Sequence, residues 1–165
     1  MTITTDRRVS DLVDSIRSAL QDGGVAATVA ALTDRPSVLP PGGLPGDPAK
    51  VAGHLLHAEA ELSLIALVWL PGQVTRIHDH LCWCVVHVLQ GSVLETRYRA
   101  QGDHLTTTRA KHHGVGSTSV LLPPADIHRI GNVAADTAIT LHVYGMDLRT
   151  GGSTRRRYPE LGSNA

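Results

Sequence analysis

The sequence predicts a mainly β protein, a small barrel of short antiparallel strands carrying α-helices at its N-terminal end. Two observations carry that reading. From Leu62 onward, short runs rich in Val, Ile, Leu and Thr recur at intervals of about 8–12 residues between turn signals, the pattern of a sandwich or barrel. Before that point the apolar residues recur at helical spacing instead. The 165-residue chain is long enough for one domain with a real core and too short for two ordinary ones.

In order, Val9, Leu12, Val13, Ile16 and Leu20 fall on one face of a helix, with Ser10 and Asp11 as capping residues and Gly23-Gly24 as a stop. A second, Ala-rich helix is predicted over Val25–Leu32, then a Pro/Gly loop over 35–48, then a short third helix from Pro48 to His57 with Val51, Leu55 and Leu56 on one face. Residues 1–60 thus form a helical part, 61–149 the barrel and 150–165 a tail. Strands are predicted at 62–70, 75–80, 83–90, 92–99, 104–109, 117–122, 127–131 and 137–144, broken at Gly72, Gly91, Gly102, Gly116 and Pro123-Pro124. The final GSNA is expected to be disordered.

Composition narrows the function classes. Phe is absent and aromatics make up 3%, so the core rests on Val, Leu, Ile and Ala. Fifteen basic and fifteen acidic residues balance, so no net field draws in nucleic acid or anionic lipid. The one basic run, Arg155-Arg156-Arg157, lies in the tail and reads as a solvated face or tail. No secretory h-region opens the chain, and no apolar stretch reaches the ~18 residues of a membrane span. Cys82 and Cys84 flank Trp83 at a spacing that strains a disulfide, so reduced thiols and a cytoplasmic location are expected.

Ten histidines remain. In Ile77-His78-Asp79-His80 the two imidazoles sit at i and i+2 on a strand, so they project to one face about 6–7 Å apart and can converge on one ion. His128, where the turn Pro123-Pro124-Ala125-Asp126-Ile127 enters another strand, is the third candidate ligand. His57, His87, His104, His112 and His113 show no ligand spacing and read as surface residues or as residues packed just behind the ligands.

These histidines sit in a frame that resembles the cupin family. Gly72, His78, His80, Cys84 and Gly91 fall at the spacing of its first motif, with Cys84 where most cupins carry glutamate. Pro123, His128 and Asn132 match the second motif; Ala125 replaces a glycine and Gly116 lies one residue further upstream. The missing carboxylate makes the chain similar to the thiol dioxygenases, cysteine dioxygenase and 3-mercaptopropionate dioxygenase. That likeness runs through Val88-Leu89-Gln90-Gly91, Glu95-Thr96 and Ala125–Arg129. It ends in Thr140-Leu141-His142-Val143-Tyr144-Gly145, which resembles the family's Ser-His-Tyr relay with Thr140 for serine. The resemblance covers about residues 50–149.

What it implies is a single jelly-roll domain over 1–165 that oxidises a small thiol with O2. His78, His80 and His128 would hold iron(II), with nickel the other open metal, since it too accepts imidazole nitrogen. Thr140, His142, Tyr144 and Cys84 would be catalytic, and Cys84 would occupy the position that forms a thioether cross-link to Tyr144. Three neutral imidazoles leave about three positions open for substrate and O2, and a bound thiol is acidified by the metal, so no separate strong base is needed. His142 would orient the Tyr144 hydroxyl, which would stabilise oxygen or the substrate's polar end. Trp83 reads as a wall of the site or as core.

One departure bears on substrate. In the resembled enzymes an arginine or glutamine before the first motif anchors the substrate carboxylate; here that position falls on Gly53. His54, Arg76, Arg97, Arg149 or the Arg155 cluster is then the replacement, or the substrate lacks a carboxylate there, because a buried unpaired carboxylate costs several kcal/mol. Cysteine, 3-mercaptopropionate and related aminothiols are the expected substrates and a sulfinate the nominal product. Sulfur–nitrogen bond formation, decarboxylation, a nickel or manganese cupin of another kind, and a small-molecule-binding cupin are the alternatives.

Overall fold

The computed structural model describes residues 6–33, 38–102, 104–150 and 155–158. Helix α1 spans Arg7–Thr33 and kinks at Gly23-Gly24, where Gly24 adopts φ +66°. Gly24 takes a left-handed conformation that a side chain would resist, so the predicted stop becomes a bend between two helical segments.

Among the described residues ten strands follow: β1 (Ala52–Glu59), β2 (Leu62–Trp69), β3 (His78–His80), β4 (Cys84–Gln90), β5 (Ser92–Gln101), β6 (His104–Gly114), β7 (Thr118–Leu121), β8 (His128–Gly131), β9 (Ala138–Tyr144) and β10 (Arg155–Arg157). One sheet has the order β1-β2-β9-β4-β7 and the other β10-β3-β8-β5-β6, with all pairings antiparallel.

Two expectations are corrected. The predicted helix over Pro48–His57 is largely strand β1, which pairs with β2 and buries Leu56 and Ala58. The spacing of Val51, Leu55 and Leu56 suits a helix, but an open edge of β2 offers the backbone a ladder, and tertiary pairing overrides local periodicity. The predicted tail also contributes structure, since Arg155–Arg157 pair with β3. The 35–48 loop is described from residue 38 onward, and the final GSNA lies outside the described residues.

Strand alternation divides the core in two. Leu62, Leu64 and Ala66 of β2, Val85 of β4, and Leu141 and Val143 of β9 pack against Val9, Leu12, Val13, Ile16 and Leu32 of α1. The other phase of the same strands, with Leu67, Trp69, Cys84, Val86, Val88, Ala138 and Tyr144, faces into the barrel. One register therefore serves packing and the next serves chemistry. Ile16 is fully buried on the helix side. Ile16→Ala should cost about 2–5 kcal/mol in chemical denaturation and leave metal affinity unchanged.

Candidate metal centre

Antiparallel pairing of β3 with β8 makes His78 and His128 Cα partners, and His80 lies two residues along on the same face. All three imidazoles are buried. Their ring centroids lie 4.6–5.2 Å apart, and one nitrogen from each falls within 4.8 Å of the others.

The second nitrogen of each ring is already committed. His78 Nδ1 lies 2.8 Å from the Arg76 carbonyl, His80 Nδ1 2.7 Å from Asp126 Oδ2, and His128 Nδ1 3.0 Å from Glu95 Oε1. A carbonyl or an ionised carboxylate can only accept, so each Nδ1 carries the proton and each Nε2 a lone pair. Nε2 of His78 and Nε2 of His128 face each other at 3.2 Å. Two lone pairs repel at that separation unless a cation lies between them. The donor set therefore fits a divalent metal, and neutral imidazole suits iron, nickel or zinc. Burial, then competition with the neighbouring His128 ring for a proton and the charge of Arg155, lower the His78 pKa to about 2. Burial and His128 lower that of His80 to about 4, against the pull of Asp126. Near neutrality protons do not compete for the lone pairs of His78 and His80.

Beside the triad runs a line of polar side chains from the inward phase of β9. Trp69 Nε1 donates to Thr140 Oγ1 at 2.8 Å, and Thr140 Oγ1 meets His142 Nε2 at 2.9 Å. Indole only donates, so the threonine oxygen accepts there. On the other side of the His142 ring, Nδ1 faces Cys84 Sγ, 3.9 Å away. Cys84 and Tyr144 are direct cross-strand partners. Among the described residues His142 meets Thr140 and Cys84 rather than the Tyr144 hydroxyl, and the His142 and Tyr144 rings stack with centroids 6.0 Å apart. Burial holds the His142 pKa well below its ordinary value and pushes the Cys84 thiol and the Tyr144 phenol well up. All three are neutral groups at physiological pH.

The remaining expected residues separate. Arg155 comes from β10, opposite His80, and its Nη2 lies 3.4 Å from the Tyr144 hydroxyl. Together with Arg76, Lys50, Val51 and His78 it lines a cleft of about 430 Å³. Arg97 is directed elsewhere: it pairs with Glu95 at 3.3 Å and donates to Ser119 at 2.9 Å. His54 Nε2 bonds the Pro45 carbonyl at 2.8 Å, and Arg149 is engaged with Asp147 on the surface. Trp83 packs with the helix-side core, close over Gly145, where its indole leaves no room for a Cβ, and does not line that cleft. A Cβ on Gly53 would point at Ile65 and Leu67 at 3.1 and 3.5 Å, on the inner phase of β2.

Sequence reasoning passed over Asp126 and Glu95. The available signal for Glu95 was a carboxylate sharing the inward phase of β5 with Val93. For Asp126 it was a carboxylate two residues before a ligand candidate. Of the two places expected for His113, the structure gives the one behind the ligands: it is buried against Glu95 at 3.1 Å, and Glu95 in turn meets His128.

A family model for cysteine dioxygenase type I matches residues 47–156. The chain belongs to that family. Among solved structures, this cysteine dioxygenase family member is similar to TT1209 from Thermus thermophilus, with TM-score 0.52 and 20% identity over 62% of this chain and 90% of that one. It is also similar to an uncharacterized protein with a double-stranded β-helix domain from Klebsiella pneumoniae, with TM-score 0.55 and 14% identity over 69% and 84% of the two chains. A third likeness, TM-score 0.53 and 14% identity over 69% of this chain and 33% of that one, is to oxalate decarboxylase from Lactobacillus farciminis. At these identities the solved structures establish the cupin fold alone. Family, fold and three-histidine group together mark a metal-dependent cupin. No helix among the described residues is long and apolar enough to cross a membrane.

Proposed function

We propose that the chain is an iron(II)-dependent thiol dioxygenase that oxidises a small thiol, cysteine, 3-mercaptopropionate or a related aminothiol, with O2, nominally to the sulfinate. The observation that carries this reading is the convergence of three imidazole lone pairs beside Tyr144 and Arg155, with His78 and Arg155 opening onto one cleft. Bound iron would acidify the thiol and hold it beside O2. The chain's own residues do the rest. Arg155 receives the carboxylate or other polar end of the substrate, and Tyr144, protonated throughout the physiological range, donates its hydroxyl proton as a hydrogen bond into the site. Trp69, Thr140 and His142 hold that corner rigid through one chain of hydrogen bonds.

The test is a panel of thiols with the iron-loaded protein in an oxygen electrode, followed by mass spectrometry of the product. Thiol-dependent O2 uptake with a gain of two oxygen atoms is expected; a tightly bound thiol with no O2 uptake overturns the reading. Gly53 favours one variation, since the position that anchors the carboxylate in the resembled enzymes carries no side-chain donor here. An aminothiol chelating through its amine, with sulfur–nitrogen bond formation or decarboxylation as the outcome, would show in the same panel as a different product mass.

The pairing of Cys84 with Tyr144 supports the thioether cross-link, which joins Sγ to the phenol ring with loss of two hydrogens to O2. Intact mass should fall by about 2 Da after turnover in the wild type. In Cys84→Ser it should stay constant while metal binding persists.

A further inference from the structure

Three neutral imidazoles bring no negative charge to a divalent ion, and a buried uncompensated 2+ charge is costly. The charge is present one bond further out. Asp126 is 1% exposed and its Oδ2 accepts from both the ring Nδ1 and the backbone N–H of His80, at 2.7 and 3.2 Å. Its Oδ1 is buried with no hydrogen-bond partner among the described residues. No lysine or arginine among them forms an ion pair with it. Glu95, 5% exposed, stands in the same relation to His128 at 3.0 Å. Unlike Asp126, it is shared with His113 at 3.1 Å, Ser119 at 3.1 Å and Arg97 at 3.3 Å.

A buried carboxylate with no cationic side chain beside it needs a counter-charge from somewhere. For Asp126 the nearest available one is a cation on the far side of the His80 ring. We infer that Asp126 and Glu95 are the positioning residues of this centre, fixing the Nε2 faces of His80 and His128 and supplying the negative charge that the three imidazoles lack. Asp126 carries the larger share, because part of the Glu95 charge is already answered by Arg97. The inference rests on His78, His80 and His128 being the metal ligands, as the proposed function does.

Asp126→Asn and Glu95→Gln keep the size and an acceptor oxygen while removing the charge. The metal-free protein would be titrated with Co2+ against a chelator, and the iron midpoint potential measured without any thiol. Asp126→Asn should weaken Co2+ binding by about 10–100-fold and move the iron potential upward; Glu95→Gln should do both to a smaller extent. Asp126→Glu, which keeps the charge, should recover most of the affinity. A folded Asp126→Asn protein with Co2+ affinity within about twofold of wild type and an unmoved potential overturns the inference. Should that variant fail to fold, Glu95→Gln decides, since unchanged affinity and potential there also overturn it. Neither readout involves thiol or O2. A wild type that binds metal tightly but oxidises no thiol sinks the dioxygenase reading alone, and an active wild type with indifferent variants sinks this one alone.

Discussion

His128→Ala should abolish thiol-dependent O2 uptake and leave the purified protein without stoichiometric iron, while its melting transition remains cooperative. Loss of one of three donors removes more affinity than loss of an outer hydrogen bond, which alone costs about 10–100-fold. The fold should tolerate the change because Glu95, the partner left behind, still receives His113, Ser119 and Arg97. His80→Ala should be as inactive but less stable, by an amount on the order of 3–5 kcal/mol before relaxation. There the stranded partner is Asp126, whose one remaining hydrogen-bond donor among the described residues is the His80 backbone N–H. Metal analysis and an oxygen electrode test the first statement; denaturant unfolding of the two variants side by side tests the second. Normal turnover in either variant would remove the three-histidine centre from the mechanism.

The contrast between these two histidines could not be read in the sequence, although the histidines themselves could. His78 and His80 were legible because a strand has period two and imidazole is a recognised ligand, and the strands of the barrel were legible from their apolar runs and glycine breaks. The same period-two logic separates Cys84 and Tyr144 from Trp83 once the inward phase of β4 and β9 is known. Strand β1 escaped because an edge strand of alternating character can mimic a helical face over ten residues, and only pairing with β2 decides between them. Asp126 and Glu95 escaped for a different reason. Their roles depend on which ring nitrogen each faces, a fact of three-dimensional register that spacing along the chain does not encode. The tail escaped likewise, because three arginines in a row look like solvated charge until a sheet edge is found to receive their backbone.

That sheet edge sets up the second large effect. Arg155→Gln should raise KM for thiols bearing a carboxylate by about 10–100-fold and leave KM for an aminothiol without one, such as cysteamine, nearly unchanged. A hydrogen bond to a charged group contributes about 1.5–3 kcal/mol, and at this half-buried position the glutamine cannot replace the charge. Backbone pairing holds β10 on β3 independently of the side chain, so the strand itself should stay in place. The comparison between substrates is what makes the experiment specific. A general loss of activity toward both thiols, with KM unaltered, would mean that Arg155 acts on the Tyr144 hydroxyl 3.4 Å away rather than on substrate. Selective loss of the carboxylate thiols would mean that the site has moved its anchor from β1, where Gly53 offers nothing, to a strand at the opposite end of the chain. Adding Gly53→Arg to Arg155→Gln then gives a direct check on that relocation. The new side chain starts against Ile65 and Leu67 on the inner face, so recovery of carboxylate selectivity in the double variant would show that two strands from opposite ends of the chain reach the same substrate group.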